Sequence, residues 1–202
     1  MVWFPVCWNA TRHIVTLAHE AGHAVVGVLV GRRLHGIQLH TDTSGVTTTT
    51  GAKWGLGATL TTFAGYPAPA ATAGLILLAV FTSKAYLATG ILLAVLVVLL
   101  LFTRNMWGWI ITGTVIGILA LALWKGSPLL TQIVLLSIAA LLAAGSYRTI
   151  WEERTGRKHG QTGSDVQSLA ERTGVPATVW WGLMMIVTTA WVVLPAYFLI
   201  NT

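Results

Sequence analysis

Residues 19–23 read His-Glu-Ala-Gly-His, an HExxH spacing inside an apolar segment. On a helix, His19 and His23 lie one turn apart on the same face, where both imidazoles reach one ion. Glu20 stands beside them, placed to orient or deprotonate a water on that ion. The residue types and spacing are those of hydrolytic zinc chemistry. From Ile14 to Val30, Glu20 is the one residue of the Asp, Glu, Lys or Arg type. An ionised group within a membrane span costs about 2.5–3.5 kcal/mol, so it calls for a functional reason. A satisfied buried trio, or a cluster of helix–helix hydrogen bonds, is the blander explanation.

A hydrolytic zinc takes three protein ligands and leaves a position for water. Cys7 is the sole cysteine, which excludes a site built from several thiolates. Besides Glu20, the acidic residues are Asp42, Glu152, Glu153, Asp165 and Glu171. Asp165 is preferred as third ligand, because it opens a short helix where the last polar stretch turns toward the final apolar segment. Glu152, Glu153 and Glu171 stay open as alternatives, and Asp42 reads as a turn residue. An aspartate in a first helical turn is also favoured by capping and the helix dipole alone. His13, six residues before His19, is turned off its face. His35, His40 and His159 read as loop residues, with His40 kept as a substrate-polarising candidate.

The elements that must position these groups are set by a membrane. Of 202 residues, 55% are hydrophobic and 9% charged, and the mean hydropathy is +0.74. A soluble domain carries about 25% charged residues. The expectation is an all-α polytopic membrane protein, one membrane-embedded domain over 1–202, with about six transmembrane helices and a small cytoplasmic β-hairpin after the first. The apolar segments run roughly 13–30, 57–82, 85–103, 106–124, 129–146 and 176–200, most of them near the roughly 20 residues that cross a bilayer. Tryptophans gather near segment ends, as in an interfacial belt. The net charge of +6 is scattered over segment ends, so nothing suggests nucleic acid as a partner. Met1 to Asn9 is aromatic rather than basic, and no cleavable signal is expected there.

Within the second segment, Gly65-Tyr66-Pro67-Ala68-Pro69 must break or kink the helix. Such a break is tolerated at membrane depth only where protein or water covers the freed backbone. With Thr59, Thr61 and Thr62 before it, it marks an aqueous path. Residues 36–51, rich in Thr and Val around Asp42-Thr43-Ser44-Gly45, read as a β-hairpin. Its edge could pair with an extended peptide, although a plain connecting hairpin explains it equally well. In the long loop 147–175, Ser164-Asp165-Val166-Gln167 is a capping-box pattern that starts a helix over 165–172, ended by Gly174 and Pro176. Gly27 and Gly31 continue the His19/His23 stripe, a place for the helix bringing the third ligand to approach.

With six spans, Arg12, Lys84 and Lys125 fall on one side. Arg32, Arg33, Lys53, Arg104, Arg148, Arg154, Arg157, Lys158 and Arg172 fall on the other. That imbalance puts the first, third and fifth loops in the cytoplasm and both termini outside.

HEAGH in the first segment, Arg32-Arg33 at its exit and the hairpin that follows resemble the site-2 protease family of membrane-embedded zinc metallopeptidases, in its compact bacterial, M50B-like branch. The resemblance covers the N-terminal third well and the last quarter loosely. It implies a multi-pass cell-membrane protease cutting peptide bonds in or next to transmembrane segments of membrane-protein substrates, as in regulated intramembrane proteolysis. It further implies Zn2+ held by His19, His23 and an aspartate, Glu20 as general base, and a site toward the cytoplasm. The family's usual Asp-Gly is absent. Asp165 instead precedes Val166 in GSDVQSLAERTGVP, similar to a variant form in the compact branch. No PDZ-type domain is inserted, so control of access falls to the spans or a partner. Two other classes compete. A scaffold or binding protein would hold zinc structurally, with four protein ligands, or not at all. A small transporter using His19, Glu20 and His23 as a relay would be expected to show internal repeats, and none is visible.

Overall fold

The HEAGH segment forms α1 (Pro5–Leu29) in a computed structural model that describes residues 5–158 and 163–201, the side chains of 5–7, 10, 157 and 158 excepted. Gly31, at φ 80°, ends the helix. Its N–H and that of Arg32 bond back to the Val28 and Gly27 carbonyls, a Schellman closure that needs a left-handed residue there. The chain then turns into the expected hairpin, β1 (Arg33–Leu39) and β2 (Gly45–Thr50), with Gln38 opposite Val46. The outer edge of β1 is covered. Arg104 donates its N–H to the Ile37 carbonyl, and the Asn105 amide bonds both the N–H and the carbonyl of Leu39. Among the described residues no strand pairs with the second edge of β2, which is the open edge of the sheet.

The broken second segment becomes α2 (Leu56–Phe63) and α3 (Pro67–Phe81), bent by 66°. Proline at the first position of α3 lacks the N–H that would continue the ladder, so the break falls where the Gly-Tyr-Pro run predicts it. There follow α4 (Ala85–Phe102), α5 (Met106–Trp124), α6 (Pro128–Lys158), α7 (Asp165–Thr173) and α8 (Ala177–Ile200). Among the described residues, four helices are long and apolar enough to cross a membrane: α4, α5, α6 over 128–156, and α8; the bent α2–α3 pair makes a fifth if it is one span. The expected count of six is not reached, because α1 is not among them. Its run is interrupted by Arg12, His13, His19, Glu20 and His23.

Two boundaries differ clearly: the first segment, expected from residue 13, is helical from Pro5, and the fifth loop begins later than expected. The loop expected from residue 147 is helical to Lys158. Tyr147 to Thr155 contains neither Gly nor Pro, and Arg148 donates to Glu152 one turn on at 2.9 Å. Polarity there marks the exit from the apolar layer, not the end of the helix.

The core is made by α3, α5 and α6, where Ala73, Ile76, Leu119, Leu135, Ala139 and Leu142 are buried with Val15 and Leu17 of α1. Two ends result. At one, Tyr86 donates to the Gly126 carbonyl at 2.9 Å, joining the α3–α4 and α5–α6 connections. At the other lie the hairpin, the α4–α5 connection, the end of α6 and α7.

Candidate metal centre

The i, i+4 spacing on α1 brings His19 Nε2 and His23 Nε2 to 3.0 Å. From the start of α7, Asp165 Oδ2 stands 3.1 Å from each of them. Among the described residues these three form the group of His, Cys, Asp or Glu side chains able to hold a metal. The expected third ligand is therefore brought to the histidines, from 142 residues along the chain (165 less 23).

The donor set fits a cation. His23 donates Nδ1–H to the Thr61 carbonyl at 2.7 Å, which fixes its tautomer and leaves Nε2 as a lone pair. The break after α2 supplies that carbonyl, since residues 64–66 no longer continue the helix. Lone pairs and a carboxylate oxygen converging within 3.1 Å repel unless a positive charge lies between them. The triangle is near the spacing of ligands at about 2.0–2.2 Å from a shared tetrahedral ion. Gly65 completes the cradle: a Cβ there would touch His23 Nε2 and come within 2.6 Å of His19 Nε2.

Glu20 is buried at 4% exposure under β2. Thr47 donates to its Oε2 at 2.6 Å, and Gly45 lies so close that a Cβ would meet Oε1 at 2.6 Å. Two cavities of about 880 and 550 Å³ open on either side of the cluster. His19, Glu20, Gly45, Tyr66 and Ser164 line both, so the two join as one groove, of which the smaller part runs along β2 from Gly45 to Thr49. Tyr66 packs edge-on to His19, ring centres 4.8 Å apart.

The other candidates are engaged elsewhere. Glu152 pairs with Arg12 at 3.2 Å and with Arg148, Glu171 accepts from the Gln167 amide, and Asp42 caps Ser44 in the hairpin turn. Glu153 accepts from Ser164. His13 packs on Trp107, His35 bonds Thr50, and His40 bonds Ser44. His159 lies outside the described residues. Gly27 and Gly31 do not receive the third ligand's helix. Gly27 faces Thr49 and Thr61, and the close approach is made at Gly22, where a Cβ would meet Ala68 and the Ala64 carbonyl. Sequence reasoning missed Thr47, Gly65, Tyr66 and the Thr61 carbonyl. The Gly-Tyr-Pro break was the one signal that could have led to the last three.

Arg12 was expected at the end of Lys84 and Lys125. Its ion pair with Glu152 puts it instead at the end that holds the cluster.

A family model described as Peptidase M50B-like matches residues 1–195. No curated protein and no solved structure matches the chain.

Proposed function

We propose that this chain, which belongs to the Peptidase M50B-like family, is a zinc-dependent endopeptidase that hydrolyses peptide bonds in or next to transmembrane segments of membrane proteins. The observation that carries the reading is the convergence of His19, His23 and Asp165 within 3.1 Å, with the Glu20 carboxylate on the same helical turn. His19 Nε2, His23 Nε2 and Asp165 Oδ2 would hold the ion. Zinc, when bound, supplies Lewis-acid polarisation and lowers the pKa of water toward about 7.

The remaining steps belong to side chains. Thr47 occupies Glu20 Oε2, which leaves Oε1 to take the proton of the attacking water and return it to the leaving amine nitrogen. The open edge of β2 seats the substrate as an added strand, its backbone running along the groove past His19. The cavities on either side give room to the residues flanking the scissile bond. Backbone pairing suits a transmembrane helix that must unwind before it is cut, because an extended chain in an apolar layer needs its N–H and C=O groups satisfied.

Orientation follows from charge. With Arg12 moved to the cluster's end, ten of the 12 Lys and Arg lie there and two, Lys84 and Lys125, lie at the other. We place the cluster's end in the cytoplasm. With five crossings the chain starts on that same side, rather than outside as six would require, and its C-terminus lies outside.

The test compares the membrane proteome of cells carrying the wild-type chain with that of cells carrying Glu20→Gln. Truncated membrane proteins should appear with the wild type and persist at full length with the variant, while purified variant protein retains its zinc. Equal cleavage by both proteins would remove Glu20 as the base.

A further inference from the structure

We propose that Glu153 is a positioning residue that fixes the third ligand, Asp165, in place by gripping the residue before it. The inference rests on the metal-centre reading above and deepens it.

Asp165 is the first residue of α7, and its place depends on how that helix begins. Val166 and Leu169 bury one face of α7 in a cluster with Ile150, Phe63 and Met184. That packing holds the body of a nine-residue helix, while its first turn must be held separately. Ser164 is the N-cap, in extended conformation, and its Oγ accepts from the Gln167 N–H at 3.2 Å. In return, the Gln167 side chain accepts from the Gly163 N–H at 3.1 Å. These bonds are internal to α7 and say nothing about where the helix stands relative to the histidines.

One bond does. The Ser164 hydroxyl donates to Glu153 Oε1 at 2.9 Å, across to α6. Glu153 is 9% exposed, on the part of α6 that runs past the apolar layer. Its neighbours fix it: Ile150 is buried, and Glu152 is paired with Arg12 of α1 and with Arg148. Lower on the same helix, Gly145 packs so tightly against Val15 of α1 that a Cβ would come within 2.5 Å of it. One path from Asp165 to the histidines therefore runs through Ser164, Glu153, α6 and α1, with short contacts at each junction. A buried carboxylate is costly, and a hydroxyl-to-carboxylate bond is about twice as strong as a neutral one. Both fit a group retained to hold a geometry.

The test measures zinc affinity of the full chain in detergent by chelator competition, together with thermal unfolding of the zinc-free protein. Glu153→Ala should weaken zinc binding by about tenfold or more, the usual scale for a group that orients a ligand. Glu153→Gln, whose amide oxygen still accepts the hydroxyl, should restore most of the affinity. Ser164→Gly should lose as much as Glu153→Ala, because glycine is a tolerable cap but has no hydroxyl to donate. The double variant should be no weaker than the weaker single one. Zinc-free unfolding should stay at the wild-type temperature, whereas a purely structural Glu153 would lower it. Wild-type affinity in Glu153→Ala, or losses that add in the double variant, would overturn the proposal. If Glu153→Ala does not fold, Ser164→Gly decides: undiminished affinity there overturns it equally. A wild-type chain that takes up no zinc would instead defeat the metal-centre reading, and this inference with it.

Discussion

At Gly65 a hydrogen stands where any other residue would press a carbon against both imidazoles. Gly65 does not have a positive φ, so alanine meets no backbone strain there and its cost falls on the two imidazoles, which must shift to admit the methyl group. We expect zinc content in Gly65→Ala to fall well below the roughly one ion per chain that a three-ligand site implies. His23→Ala gives the reference, since it removes a ligand outright and should abolish binding. Elemental analysis of the purified proteins reads both. Full zinc in Gly65→Ala would mean the metal lies elsewhere than between His19, His23 and Asp165. The substitution also probes the break itself, because Gly65 shares it with Tyr66 and Pro67, and the same break exposes the Thr61 carbonyl that orients His23.

Among the elements, β2 has the least obvious role in the sequence and a direct one in the structure. Its Thr47 hydroxyl holds the Glu20 carboxylate at 2.6 Å, 27 residues away in the chain. A hydrogen bond to a charged group contributes about 1.5–3 kcal/mol. Thr47→Val, nearly the same shape, should keep the zinc and slow cleavage about 10–100-fold, at 1.36 kcal/mol per decade. Unchanged cleavage of a substrate found through Glu20→Gln would show that β2 does not position the base. What the sequence makes legible here is local. The HExxH helix follows from i, i+4 geometry, α7 from its Ser164 cap and its left-handed Gly174, and the hairpin from its Thr-rich strands. The Asp165 position emerged because a capping motif and a candidate ligand coincide. What stayed hidden is long-range: Thr47 on Glu20 and Thr61 on His23 join residues 27 and 38 apart, and no periodicity encodes them. The continuation of α6 past residue 146 was hidden for a different reason. Hydropathy separates apolar layer from water, whereas Glu153 and Glu152 stand on helix that has already left that layer.

At the scale of the molecule, the two ends of the bundle differ in charge and in chemistry. The end with the Tyr86–Gly126 bond carries Lys84 and Lys125, with short connections. The other carries the groove, the hairpin and ten basic residues, Arg12 among them. The charge bias governs insertion, and under the proposed function the groove would face the compartment that supplies water and receives the cut product. Both requirements are met if the groove's end is cytoplasmic. Single cysteines at exposed Ser44, Glu171 and Lys125, in a background lacking Cys7, make this measurable. In intact cells an impermeant thiol reagent should modify position 125 and spare 44 and 171; after permeabilisation all three should react. Labelling of 44 and 171 with 125 protected would invert the protein in the membrane. The placement of α1 is tested in the same experiment by a cysteine at Asn9, an exposed position one turn before Arg12. If α1 stays on the groove's side, position 9 should behave like 44 and 171. If α1 crosses as a sixth span, position 9 should label with 125, and the Arg12–Glu152 pair would then have to form across the apolar layer, where it could not be solvated. The structure favours the first outcome because Arg12, Glu152 and Arg148 meet at one level, beside the end of the helix from which Glu153 reaches the cap of α7.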